Sequence, residues 1–182
     1  MNFPILHTAR LILRQVLPSD APIVLRGYSD PRVYQHMSIS YHTLDEVQAQ
    51  LDWYVELYTQ HTGIWWGICL RDTGEMIGNG GFHLWSKKHL SAELGYWLLP
   101  DYQHLGFAKE AVSEMLRYGY QSMLLHRIEA IVEGDNTSSS RLVESLSFHL
   151  DGVRRACEWS GDKFIDLQIW SKLASEQEGH HL

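Results

Sequence analysis

Cysteine is scarce: the 182 residues hold two, Cys69 in an apolar run and Cys157 far from it. So placed, they make neither the spacing of a zinc site nor a redox Cys-x-x-Cys, and they read as free, reduced thiols suited to a reducing, cytoplasmic setting. Long apolar runs are missing as well. No stretch approaches the ~18 residues of a membrane span, and the start Met1-Asn2-Phe3-Pro4 lacks the basic region and apolar core of an export signal. Positive charge is in deficit, with 15 Lys and Arg against 22 Asp and Glu and a formal net charge of −7. That balance argues against nucleic acid as the main partner and favours a cationic substrate, while leaving room for a local basic patch against a polyanion. The 11 histidines include no His-Glu-x-x-His, no His-x-His and no grouping with cysteine, so no metal is expected, and His180-His181 reads as a solvated end. Neither GxxxxGK[ST] nor a full GxGxxG occurs, and there is no internal repeat or low-complexity tract.

What is present suits one domain with a sizeable core, at 45% hydrophobic and 20% charged residues. Residues 10–16 alternate Leu and Ile with Arg and read as a strand ended by Pro18, after which Ser19-Asp20 offers an N-cap for a short helix to about Tyr28. Asp30-Pro31 breaks that helix, and a further helical turn is expected over 33–37. Thr43-Leu44-Asp45-Glu46 is a capping box for a helix to about Gln60, with Val47, Leu51, Tyr54 and Leu57 on its apolar face. Residues 64–70 and 76–85 form a hairpin around Arg71-Asp72-Thr73-Gly74-Glu75. Gly78, Gly80 and Gly81 in its second strand mark a bulge or a close backbone approach. Residues 92–99 are the next strand, 108–121 a helix with Ala111, Val112, Met115 and Leu116 inward, and 127–132 a strand. A helix over 137–146 and a strand pair over 153–159 and 164–170 complete the chain. Strand and helix alternate in this half, which implies a parallel crossover and the α/β class.

The organising stretch is Gln103-His104-Leu105-Gly106-Phe107-Ala108-Lys109, between the strand at 92–99 and the helix that follows. Gly106 allows close backbone approach, and the unpaired amides of the first helical turn, with the positive end of the dipole behind them, suit a pyrophosphate. A bland strand-to-helix connection is the competing reading.

Three segments in order, Ala92-Glu93-Leu94-Gly95-Tyr96-Trp97, this loop, and Glu133-Gly134-Asp135-Asn136-Thr137-Ser138-Ser139, resemble the acyl-CoA-binding core of the GNAT superfamily of N-acetyltransferases. Thr8-Ala9-Arg10-Leu11-Ile12-Leu13-Arg14 and Gly161-Asp162-Lys163-Phe164-Ile165-Asp166 extend the resemblance to the ribosomal-protein N-terminal branch, the RimJ/RimL-like enzymes and their relatives. The resemblance implies a GNAT fold, a mixed central sheet flanked by helices, over residues 8–173, with a polar tail at 174–182. It implies acetyl-CoA as co-substrate without a metal. Backbone near Trp97, Leu98 and Leu99 would pair with the pantetheine arm, the amide of Leu98 would face the thioester oxygen, and His104 would add charge near phosphate. Asn136 and Ser139 would lie against the cofactor arm and its sulfur.

Glu93 is the carboxylate placed to lead a proton from the amine, on the strand face opposite Leu94 and Tyr96; an exposed carboxylate or an arginine's partner is the alternative. The tyrosine that many relatives use to protonate the thiolate falls here on Val143, which leaves Ser139 as the substitute beside Ser138 and Ser140. A second departure is Ser147, where glycine is usual. Tyr34, His36 and Met37 are the expected acceptor-pocket residues; Trp65, Trp66, Trp85 and Trp97 are either core or pocket wall. The expected acceptor is a primary amine, foremost a protein N-terminus. A small amine, polyamine or antibiotic is the enzyme alternative, and a non-catalytic acyl-CoA sensor the alternative from another class. The oligomeric state stays open between monomer and homodimer.

Overall fold

Side chains alternate across a strand, and β3 (Ile64–Leu70) shows what this chain does with that alternation. Trp65 and Trp66 are both buried, yet Trp66 belongs to one apolar cluster and Trp65 to another. The computed structural model describes residues 2–37 and 39–177 and places these clusters on the two faces of one eight-stranded sheet. Its other strands are β1 (Leu6–His7), β2 (Leu11–Gln15), β4 (Met76–Ser86), β5 (Ser91–Leu98), β6 (Arg127–Glu133), β7 (His149–Ser160) and β8 (Lys163–Leu173). They are ordered β1-β2-β3-β4-β5-β6-β8-β7. The sheet is mixed: β5 and β6 run parallel and the other neighbours antiparallel. One face carries α4 (Phe107–Gln121) and α5 (Thr137–Ser145), packed through Ala111, Val112, Met115 and Val143; the other carries α1 (Ala21–Ser29), α2 (Pro31–Tyr34) and α3 (Leu44–Thr59).

The capping box forms as the sequence requires: the Glu46 amide donates to Thr43 Oγ1 at 3.3 Å and the Thr43 amide to Glu46 Oε2 at 3.1 Å. Asp20 behaves otherwise. Its carboxylate accepts from both Arg14 terminal nitrogens at 2.7 and 2.9 Å and from the Leu17 amide at 2.7 Å, so it braces β2 and makes no cap for α1. The turn expected over 33–37 starts earlier, at Pro31, because Asp30 accepts from the Arg32 amide at 2.9 Å and proline suits the first helical position. The β3–β4 ladder is irregular between Ile68 and Cys69, whose partners are Gly78 and Met76, so a bulge stands beside Gly78 as expected; the β4–β5 irregularity at His83/Ser86 lies away from the glycines. Close approach explains Gly81, where a Cβ would stand 2.1 Å from the Ile64 carbonyl oxygen. His180-His181 lies outside the described residues.

One departure from regularity positions the site. β5 and β6 pair at Ser91↔Arg127, Ala92↔Ile128 and Glu93↔Glu129, and there the pairing ends, although β5 continues to Leu98 and β6 to Glu133. The two strands part and leave a gap in the middle of the sheet.

Candidate active site

The loop after β5 opens onto that gap. His104 and Gly106 both take positive φ, 60° and 82°, and α4 begins immediately afterwards at Phe107 without a side-chain cap. The first-turn amides are therefore left to face an outside acceptor. Gln103 ties the loop to the strand by donating from Nε2 to the Leu98 carbonyl at 2.9 Å. The Leu99 amide donates to Ile77 in β4 at 2.8 Å, and the alternation of strand hydrogen bonds then turns the Leu98 amide away from β4, toward the gap.

Two cavities meet there. The first, about 440 Å³, is bordered by Gln103, His104, Gly106 and Ala108, and its charged lining residues are the cations Arg32, Lys109 and Arg141. The second, about 780 Å³, lies over the α1–α3 face; Trp53, Trp65 and Tyr41 wall it, and Glu93, Glu133 and Glu158 outnumber Arg154. His36, Met37, Tyr96, Trp97, Asn136 and Ser139 border both. A basic chamber and an acidic one thus share a wall.

Most of the residues singled out in the sequence come together here. Trp97, Leu98, Gln103, His104, Gly106, Ala108, Lys109, Asn136 and Ser139 all border the first cavity. Leu99 is fully buried in the α1–α3 core, Leu105 is exposed on the outside of the loop, and Phe107 packs beside Tyr102 under the Arg10 guanidinium. Asn136 caps α5 by accepting from the Ser139 amide at 3.1 Å. Glu93 faces the second cavity, and its partner is His83, across the β4–β5 ladder at 3.3 Å, in place of an arginine. His36 and Met37 stand at the junction; Tyr34 borders neither cavity. Trp65 and Trp97 are both core and wall. The fold also brings His36 Nδ1 within 3.1 Å of Glu133 and 3.6 Å of Asp135, a grouping that sequence spacing does not reveal.

The principal residue missed was Tyr96. Its hydroxyl lies 2.8 Å from Ser139 Oγ, and burial pushes its pKa up to about 12, with the bond to Ser139 pulling the other way. Strand alternation places Tyr96 on the face opposite Glu93, but only the fold shows that α5 covers that face and brings Ser139 to it.

The Acetyltransferase (GNAT) domain family matches residues 10–149, and the chain belongs to that family; it is an N-acetyltransferase. The Uncharacterized N-acetyltransferase YoaA of Bacillus subtilis (strain 168) is 36% identical over 170 residues, 93% of this chain and 96% of that protein. The ribosomal-protein-serine acetyltransferase of Escherichia coli (strain K12) is 26% identical over 103 residues, 57% of this chain and 58% of that one. The solved spermidine N-acetyltransferase from Vibrio cholerae in complex with CoA and spermine shares the fold, with a TM-score of 0.83 at 19% identity over 93% of this chain and 98% of that chain. No helix among the described residues is long and apolar enough to cross a membrane.

Proposed function

We propose that this N-acetyltransferase takes its acetyl group from acetyl-CoA and passes it directly to the N-terminal α-amine of a protein or peptide. The observation that carries the reading is the junction of a basic chamber with an acidic one at Tyr96 and Ser139. A polyanionic donor and a cationic amine would enter from opposite sides and meet there. The residues fit CoA: the positive-φ turn at Gly106 leads into the amides of the loop and of the first turn of α4, from Leu105 to Lys109, and Lys109 and Arg141 add charge.

Chemically, the amine lone pair attacks the thioester carbonyl, the C–S bond breaks, and the sulfur leaves as a thiolate that must gain a proton. The Leu98 amide stabilises the oxygen on which charge develops. Glu93, paired with His83, receives the amine proton through water. Ser139 donates a hydrogen bond to the sulfur, with Tyr96 behind it. Tyr96, at about 12, holds its proton more tightly than a free thiol at ~8.5, so the pair solvates the sulfur. As Ser139 gives a proton to the thiolate and takes one from Tyr96, water in the cavity that Tyr96 borders returns a proton to the phenol.

An α-amine loses its proton about two units more readily than a lysine, which suits a site whose facing proton acceptors are the two His–Glu pairs, His83–Glu93 and His36–Glu133. The ribosomal-protein-serine acetyltransferase among the relatives supports the same choice. The second reading, a polyamine acceptor, is favoured by the acidic lining of the larger cavity. Mass spectrometry of basic peptides with free and blocked N-termini, run with acetyl-CoA beside spermidine and aminoglycosides, separates the two. Acetylation confined to the small amines refutes the peptide reading. Gly106→Glu should abolish the stabilisation of the fold by acetyl-CoA, because its carboxylate would occupy the phosphate approach.

A further inference from the structure

Glu110 lies in the first turn of α4, the turn whose amides face the basic cavity. A carboxylate there complements the helix dipole but competes with any anion bound at the same end. Three donors surround it. Thr8 Oγ1 reaches Oε1 at 2.6 Å, the Arg10 amide reaches Oε1 at 2.8 Å, and Arg10 Nε reaches Oε2 at 2.6 Å. Burial alone would raise the Glu110 pKa, but these bonds outweigh it and hold the carboxyl below the usual range, ionised at neutral pH.

Arg10 does more than pair with it. Its Nη1 donates to the Leu105 carbonyl at 3.0 Å, its guanidinium carbon lies 4.3 Å from the centre of the Phe107 ring, and Nη2 lies 3.3 Å from where a Cβ on Gly106 would stand. Every one of these contacts falls on the loop and first helical turn. The threonine and arginine near the start of β2 thereby gain a task that the sequence did not disclose.

We infer that Arg10 is the positioning residue of the cofactor loop: it offsets the Glu110 charge at the phosphate-facing end of α4 and fixes the Leu105 carbonyl, so that the turn through His104 and Gly106 keeps its amides aimed at a pyrophosphate. The inference rests on the reading that this loop binds CoA. Only a guanidinium can meet a carboxylate and a carbonyl on separate nitrogens while lying over a ring. Arg10 borders neither cavity, so it acts on donor affinity and leaves the transfer step alone.

The test combines calorimetric binding of CoA with steady-state kinetics for the wild type, Arg10→Ala, Arg10→Lys and Arg10→Ala/Glu110→Gln. Arg117→Ala is the control, since Arg117 pairs with Glu114 and Gln121 farther along α4. Arg10→Ala should raise the Kd for CoA and the KM for acetyl-CoA about tenfold, with kcat at saturation and the acceptor KM within about twofold. Arg10→Lys keeps the charge but loses the fork, and should fall between the two while folding as the wild type does. Adding Glu110→Gln to Arg10→Ala should recover about threefold, because the uncompensated charge is gone. Arg117→Ala should bind as the wild type. Wild-type affinity in both Arg10 variants overturns the inference, and so does the absence of recovery in the double variant. A wild type that does not bind CoA fails the loop reading itself, a separate result obtained before any variant is made.

Discussion

Tyr96→Phe removes one oxygen and nothing else from the junction, so it isolates what the Tyr96–Ser139 contact contributes. The bond is 2.8 Å long and part-buried. As a neutral hydrogen bond it contributes about 1 kcal/mol to stability, which in a chain of this size lowers Tm by about 2–4 °C. The catalytic effect should be larger. Ser139→Ala deletes the hydroxyl nearest the proposed sulfur position and should lower kcat about 100-fold, the scale of a lost proton donor. Tyr96→Phe leaves that hydroxyl in place but without its partner, and should cost about tenfold. Since Tyr96 acts through Ser139, the double variant should be no slower than Ser139→Ala, a strongly non-additive cycle. The assay is thiol release from acetyl-CoA with a saturating acceptor, read as kcat. Additive losses would mean that the two hydroxyls act separately. A Tyr96→Phe enzyme with wild-type kcat would remove Tyr96 from the reaction. Because burial holds Tyr96 near 12, no limb of the wild-type pH profile below about pH 11 should belong to it.

Glu93→Gln should lower turnover mainly on the acidic side of the profile, where the acceptor is most protonated, with CoA affinity intact; full turnover across the range would leave Glu93 a structural partner of His83. Ser147→Gly should raise Tm by about 1–3 °C, since Ser147 holds φ 62° at the end of α5, where its own amide and that of Phe148 bond back to Glu144 and Val143. A lower Tm would refute that account. Burial raises Tyr28 and Tyr96 to about 12, so the unfolded state gives up these protons first as pH rises. The resulting stability is therefore complete below about pH 10 and lost toward pH 12; phenolate absorbance rising freely near 10 with an unchanged Tm would contradict it.

The order of elements was legible because periodicity and punctuation agreed. Ile64–Leu70 and the end of α4 at Gln121 follow directly from an aromatic and branched run and from an apolar stripe that stops. The short β1 and the start of β7 at His149 were not legible. Two residues carry no period, and β7 is exposed along most of its length, so no alternation of buried and exposed residues announces it. Asp20 was misread for a similar reason. Ser-Asp before an apolar run is a cap by local rules, and only the fold shows Arg14 six residues earlier taking the carboxylate.

The site was legible wherever one backbone segment makes it, as at Gly106, and illegible wherever two segments share it. The His83–Glu93 pair depends on β-ladder register, and the Arg10–Glu110 pair on which strand lies beside the start of α4. Tyr96 shows the same limit most fully. Strand alternation puts Glu93 and Tyr96 on opposite faces of β5, which in an unbroken sheet would keep an acceptor near one apart from a donor near the other. The break in β5–β6 pairing after Glu93 removes that barrier, and Tyr96 borders both cavities. On the proposed reading, a slot through the sheet lets a cation held on the α1–α3 side and a polyanion held at α4 reach one point while their charged surroundings stay separate. The parting of two strands is thus the feature that turns a loop, a carboxylate and a serine, each readable in the sequence, into a single site.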